Sequence, residues 1–180
     1  MTVRLQDEAA QINPNLASPA LVEALLRVTG SDAEIARRLA TAIDEWVGAP
    51  AVAIPREAVL AEYRKAGLDY GSPNEPLETV DELQRVVGMT PSVFAAIRPH
   101  LSLFAPAEPS LAHADPVVAA AVAVITQPGT PPPKPSDVST ARIAVTALGP
   151  DNGRATRTAI VRILPASGTY MVLAWDSDLN

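Results

Sequence analysis

Acidic side chains are the most concentrated chemically active groups in this sequence, and they gather in its first half. Asp44 and Glu45 are adjacent, and the turn at residues 69–75 carries Asp69 and Glu75 among backbone carbonyls. Calcium prefers six to eight oxygen ligands of this kind, often from loops. Carboxylates at these positions are also typical of helix caps and exposed surfaces, and no Asp-x-Asp-x-Asp loop is present. The pattern is therefore compatible with a calcium site and with ordinary surface carboxylates.

The sequence offers few groups for nucleophilic or metal-assisted catalysis. It contains no cysteine, and its two histidines, His100 and His113, stand outside any known motif. Phosphate-binding glycine loops, the His-Glu-x-x-His pattern and the Gly-x-Ser-x-Gly pattern are absent. We therefore predict that the chain is not an enzyme, and that both histidines are solvated or lie at helix ends.

Two segments, residues 12–18 with the helix that follows and residues 83–90, are typical of helix-hairpin-helix units. In DNA-binding units of this kind the hairpin presents backbone amides to a phosphate, usually beside basic residues. Arg85 and Arg98 flank the second hairpin, but two acids at 81–82 precede it, and the formal net charge is −6. The negative charge disfavours nucleic acid as a partner. A helix-hairpin-helix DNA-binding protein of the competence type is the alternative function.

Composition places the chain among globular proteins. Its 180 residues are 48% apolar and 19% charged, which is enough to bury a hydrophobic core. The longest apolar run, residues 117–125, is much shorter than the ~20 residues of a transmembrane helix, and no signal peptide is recognisable. We expect a soluble unit that can belong to a longer, membrane-anchored protein.

Apolar residues recur at helical spacing through the middle of the chain. The predicted helices begin at Ser18, at Ser31 or Asp32, at Arg56, at Thr79, at Thr90 and at Asp115. Thr79 and Glu82 form a capping box. The second helix is expected to bury one stripe of side chains, namely Ile35, Leu39, Ile43 and Trp46. Phe94 and Trp175 are also expected in the core.

The ends of the chain show the two-residue period of strands. The predicted strands are residues 2–5, 142–148, 156–164 and 169–175, with hairpin turns at 149–153 and 165–168. The first strand should pair with a later one. The resulting fold class is α+β: a small antiparallel-sheet domain interrupted by a large all-helical insertion with helix-hairpin-helix-like units. The predicted division is 1–14 with 138–180 for the sheet domain, 15–126 for the helical insertion and 127–137 for a proline-rich linker.

Several short motifs stand in a fixed order along the chain. They are Asp7-Glu8, INPNLAS at 12–18, AIDEW at 42–46, Tyr63, LDY at 68–70, NEPLETVDEL at 74–83 and VGMTP at 87–91. The later strands add Arg157, Val161-Arg162 and residues 170–175. In order and spacing, the series resembles the minor pseudopilin K family of type II secretion systems over most of residues 7–104.

The resemblance implies a pilin-like domain interrupted by a helical insertion and carried on an N-terminal membrane helix, which is absent here. It implies a periplasmic domain of an inner-membrane-anchored bacterial protein, located at the tip of the pseudopilus and supporting protein secretion. The implied partners are the minor pseudopilins I and J and secreted substrate proteins. Membrane anchoring is expected only through the absent helix, and neither catalysis nor nucleic-acid binding is expected.

The resemblance also bears on calcium, because many relatives carry an acidic calcium-binding segment after the second helix. In this chain the corresponding residues 45–55, EWVGAPAVAIP, are shorter and contain no acid after Glu45. The remaining metal candidates are Glu45, Asp69, Asn74 and Glu75. Calcium is the only cofactor that the resemblance implies.

Overall fold

The computed structural model describes residues 1–48, 55–126, 139–149, 153–164 and 167–176 of the chain. Within these residues the strands are β1 (Thr2–Asp7), β2 (Ser139–Leu148), β3 (Arg154–Leu164) and β4 (Thr169–Asp176). The α-helices are α1 (Pro19–Val28), α2 (Ala33–Trp46), α3 (Arg56–Lys65), α4 (Pro91–Ile97) and α5 (Pro116–Ile125). Short 3-10 helices cover Glu8–Ala10, Val80–Arg85 and Arg98–His100. The α+β class is confirmed.

The four strands form one antiparallel sheet in the order β1-β2-β3-β4. The first strand pairs with a later one, as the sequence predicts; its partner is β2, with Leu5 opposite Ile143. Ile143 is in turn opposite Ala159 on β3. A bulge between Ile160 and Val161 shifts the register with β4. The chain therefore leaves the sheet after β1, builds the helices, and returns to complete the sheet.

The helices enclose the main hydrophobic core, and α1 lies at its centre, packed against both α2 and α5. Ser18 caps α1 by accepting a hydrogen bond from the Leu21 amide at 3.3 Å, and a proline occupies the first turn. None of the described helices is long and apolar enough to cross a bilayer.

Two predicted core residues are at the surface. Ile35 is 42% exposed, whereas its neighbour Ala36 is fully buried. Leu39, Ile43 and Trp46 are buried as predicted, so the predicted stripe of α2 holds except at its first position, where Ala36 is buried instead of Ile35. Trp175 is 70% exposed because it lies on β4, the last strand of the sheet. Trp46 and Phe94 are buried as predicted.

The segment that begins at Thr79 differs from the predicted helix. The Thr79–Glu82 capping box is present, but it starts a 3-10 helix that ends at Arg85. Val86 is extended, and Gly88 has φ +83 before α4 begins. The left-handed backbone of Gly88 is one that residues with a Cβ rarely adopt, which explains the glycine at this turn.

Residues 8–13 connect the sheet to the helical part. Ile12 forms a parallel bridge with Leu101, donating to the His100 carbonyl at 2.9 Å. The Asn13 side chain donates to the carbonyls of Leu103 and Ala105 at 3.0 and 2.7 Å. The predicted domain division stays a prediction; its linker, residues 127–137, and parts of both hairpin turns lie outside the described residues.

Candidate interaction surfaces

One face of the sheet is apolar, and the described residues leave much of it exposed. The strand register places on this face side chains from all four strands, which we call the apolar sheet face: Val3, Leu5, Ile143, Val145, Val161, Ile163, Tyr170, Val172 and Trp175. The exposed fractions of Leu5, Tyr170 and Trp175 are 73%, 73% and 70%. Exposed apolar patches on this scale are typical of interaction sites.

The opposite face of the sheet is more polar and turns toward the helices. Thr140, Thr158 and Ile160 lie on it and are buried. Arg142 also lies on it and donates from Nε to the Glu8 carboxylate at 2.7 Å. Glu8 is fully buried and accepts a second hydrogen bond from the Ser102 hydroxyl. The sheet is thus packed on its polar side, whereas the described part of the chain leaves its apolar side open, the reverse of the usual arrangement.

A second apolar surface lies between α2, α3 and the turn before α4, and we call it the α2–α3 groove. Its volume is about 770 Å³. Its walls include Ala42 on α2, Ala58 and Val59 on α3, Val87 in the turn before α4 and Val93 on α4. Arg37 and Arg38 line it from α2, and Glu62 lines it from α3. Ile35, which the sequence predicts in the core, is exposed and lines the groove at one end.

The acidic turn at residues 69–75 packs against the end of α2. The Glu75 amide donates to the Trp46 carbonyl at 3.1 Å. Asn74 has a left-handed φ of +58. A Cβ built on Gly48 would lie only 2.7 Å from Asn74 Oδ1 and 2.8 Å from the Asn74 carbonyl oxygen. Glycine at position 48 therefore allows the turn to approach the helix end.

The four metal candidates are only partly brought together by this packing. Glu45 is buried, with 8% of its surface exposed, and burial raises the pKa of its carboxyl group while the Ser72 hydroxyl opposes the shift. Asp69, Asn74 and Glu75 are exposed. Across the described part of the chain, no group of three or more His, Asp or Glu side chains is arranged to hold a metal ion. Calcium binding by the four residues stays a prediction.

Three aromatic rings fix the acidic turn to the core. The ring centroids of Trp46 and Tyr63 are 6.2 Å apart, and those of Tyr63 and Tyr70 are 5.8 Å apart. The Tyr70 hydroxyl donates to the Arg85 carbonyl at 3.3 Å. Burial raises the pKa of the Tyr63 hydroxyl to about 12.

The histidines pair with aspartates. His100 Nδ1 lies 2.8 Å from Asp115 Oδ2, and His113 Nδ1 lies 3.3 Å from Asp7 Oδ2. Asp115 also caps α5, accepting from the amides of Val117 and Val118. Burial raises the pKa of Asp115, but hydrogen bonds from Val118, His100 and Val117 outweigh it, and the net pKa is lowered. His100 therefore faces the start of a helix, which agrees with a structural role.

The two predicted helix-hairpin-helix segments have the turns but not a basic surface. Arg98, beside the second hairpin, forms an ion pair with Asp81 at 3.0 Å. In the first hairpin the Asn13 carbonyl accepts from the amides of Leu16 and Ala17, so these donors are used within the turn. DNA binding stays an untested alternative.

Sequence reasoning missed Glu8 as a structural centre and missed the α2–α3 groove. The Asp7-Glu8 pair after an alternating strand was noticeable, but its partners Ser102 and Arg142 are distant in sequence. The groove depends on how far α2 and α3 stand apart, which no local pattern reports.

The family described as type II secretion system (T2SS), protein K, matches residues 4–106, more than half of the chain. A chain in the crystal structure of the GspK-GspI-GspJ complex from the enterotoxigenic Escherichia coli type 2 secretion system is similar in fold, with a TM-score of 0.69. The two share 14% sequence identity, over 99% of this chain and 79% of that chain. No curated protein matches the sequence significantly.

Proposed function

This chain belongs to the protein K family of type II secretion systems, a family of minor pseudopilins, and we propose that it is the subunit at the tip of the pseudopilus. In this role it nucleates assembly with other minor pseudopilins and supports protein secretion across the outer membrane. The activity is assembly and recognition rather than catalysis. The position at the tip agrees with a bulky helical part that would hinder addition of a further subunit above it.

The observation that carries this proposal is the apolar sheet face. A four-stranded sheet needs a second layer over its apolar side, and a large aliphatic side chain gains about 1.5–3 kcal/mol on full burial. Ile163 and Val172 remain 44% and 47% exposed, although they lie on neighbouring strands of one face. The exposure of these side chains is explained if other parts of the assembly pack on this face and bury it.

We propose that a helix N-terminal to the 180 residues covers part of this face and anchors the protein in the inner membrane. The domain described here then lies in the periplasm. Neighbouring pseudopilins pack around the same helix and the sheet, and the helical part points outward. Val3 and Leu5 on β1 would lie beneath such a helix, because they share the face with Ile143 and Val145.

The proposed partners are the minor pseudopilins I and J of the same secretion system. The related fold in the E. coli crystal structure belongs to a complex named for GspK, GspI and GspJ, which supports this choice. Secreted substrate proteins are proposed as further partners. Nucleic acid is not proposed, because the chain carries net charge −6.

Calcium at the acidic turn is a separate proposal. The described carboxylates do not converge, so any bound ion would draw on backbone carbonyls of residues 69–75 in addition to Glu45 and Asn74. Calcium would then fix the turn against the end of α2. No other part of the proposed function depends on it.

Secretion in cells tests the tip-subunit role. The gene is deleted in the source bacterium and restored as the full-length gene carrying Val172→Asp or Met171→Asp, and the cargo released to the medium is measured. The two residues are adjacent and similarly exposed at 47% and 53%, but only Val172 lies on the apolar sheet face. We expect Met171→Asp to restore secretion and Val172→Asp to fail. Equal restoration by both variants would overturn the assignment of this face.

A further inference from the structure

The α2–α3 groove is an elongated feature rather than a compact pocket. On α2 its lining runs from Ile35 to Glu45. This stretch corresponds to about 15 Å of helix, or nearly three turns, at 1.5 Å per residue. The volume of about 770 Å³ is at the upper end of common ligand sites. A groove of this length between two helices suits a third helix.

The floor and walls of the groove allow close approach of another backbone. Ala42 on α2 and Ala58 on α3 present only methyl groups. Val59, Val87 and Val93 supply the larger apolar surface. Small residues alternating with branched ones form the kind of groove into which the side-chain ridge of a helix packs.

The two rims of the groove differ in charge. On the α2 rim, Arg37 and Arg38 share one carboxylate, that of Glu34, at 2.7 and 3.8 Å. On the α3 rim, Glu62 is paired with Lys65 at 3.0 Å. The part of the α2 rim at Arg37 and Arg38 therefore carries one positive charge more than Glu34 balances, whereas Glu45 lines the other end of α2 and the α3 rim is neutral.

We propose that the α2–α3 groove binds an amphipathic helix of another protein, with its apolar stripe on the groove and carboxylates along the edge that faces Arg37 and Arg38. The apolar lining selects a helix with residues at i, i+3, i+4 and i+7, and the basic rim selects acidic neighbours. This inference does not depend on the tip-subunit role. The groove is formed by α2, α3 and the turn before α4, whereas the assembly face is on the sheet.

The probe is a synthetic helix of about 14 residues, with a leucine stripe, glutamates on one flank and glutamines elsewhere. A second peptide replaces the flanking glutamates by glutamine. Binding of each labelled peptide to the 180-residue chain is measured by fluorescence anisotropy. Two variants of the chain form a matched pair: Ala58 and Ala61 are both exposed on α3, but only Ala58 lines the groove.

We expect Ala58→Glu to weaken binding of the acidic peptide at least about tenfold and Ala61→Glu by less than about twofold, since only the first places a charge in the apolar site. The acidic peptide should bind about three- to tenfold more tightly than the glutamine peptide, and Arg37→Gln with Arg38→Gln should abolish that difference.

Three results would overturn the proposal. One is no binding of either peptide at about 100 μM, the weak end of specific association. Another is an equal loss of binding in Ala58→Glu and Ala61→Glu. The third is a dimer of the chain by light scattering that Ala58→Glu dissociates, which would make a second copy the occupant. If the chain forms no complex with other pseudopilins, the peptide-binding and light-scattering measurements still test this proposal independently.

Discussion

The buried Glu8 carboxylate accepts a hydrogen bond at 2.7 Å from Arg142, joining the segment after β1 to the middle of β2. The Ser102 hydroxyl donates to the same carboxylate. The sheet, the 3-10 helix after β1 and the loop after His100 therefore meet at one charged group. Removing one member of a buried ion pair leaves the other without compensation, which is strongly destabilising.

Arg142→Met should lower the free energy of unfolding by about 3 kcal/mol, because Glu8 then remains buried without its cation. Urea denaturation measures the change. Arg154→Met is the control, since Arg154 is exposed at the start of β3, and it should change stability by less than about 0.5 kcal/mol. Similar losses in both variants would show that the Glu8 pair is not a structural centre.

Gly48→Ala should be more destabilising than Gly67→Ala. Both glycines have left-handed φ values, +76 and +78, so each alanine carries a strain of about 1–2 kcal/mol. At Gly48 the new methyl group also meets Asn74, whereas at Gly67 no atom of the described residues, apart from its chain neighbours, lies within 4 Å of the added Cβ. The clash should add about 1–3 kcal/mol. Thermal unfolding of the two variants measures the loss of stability in each. Equal losses would contradict the close packing of Gly48 against Asn74.

The stabilising effect of Asp115 should depend on pH. Its folded-state pKa is lowered from the ordinary 3.8, because hydrogen bonds from Val118, His100 and Val117 together outweigh the opposing effect of burial. A lowered pKa means that the stabilisation is present above 3.8 and is lost as pH falls through the folded value. Asp115→Asn should therefore be less stable than wild type at neutral pH, with the difference shrinking in acid. A difference that is constant with pH would exclude this role.

Glu45→Gln tests Glu45, the one buried residue among the four metal candidates. Burial raises its folded pKa above 4.5, so the carboxyl favours folding below that value and opposes it as pH rises. Without calcium, the glutamine variant should be as stable as wild type or more stable at neutral pH. If calcium binds, added calcium should raise the melting temperature of wild type but not of the variant. Glu57→Gln, an exposed change on α3, controls for general ionic effects.

Much of the fold follows from local sequence signals. Hydrophobic period and caps such as Ser18 and Asp115 predict the helices and strands to within a few residues. The sequence also predicts that the first strand pairs with a later one, because a lone amphipathic strand needs a neighbour, but it does not identify β2 as the partner.

Features that depend on tertiary arrangement were not predictable. Ile35 and Ala36 are adjacent, and only the packing angle of α2 on α1 decides which is buried. The partners of Glu8 lie far along the chain, so its burial has no local signal. Trp175 looks like a core residue by type, yet it lies on an edge strand of a face that the described residues leave open.

The most direct test of the central claim is the mass of the complex formed when this chain is mixed with the soluble domains of minor pseudopilins I and J. Size-exclusion chromatography with light scattering measures it, with calcium and with chelator. We predict a one-to-one-to-one complex that Met171→Asp retains and Val172→Asp weakens. Absence of any complex in both conditions, together with retention of duplex DNA at low salt, would contradict the pseudopilin role and favour the helix-hairpin-helix alternative.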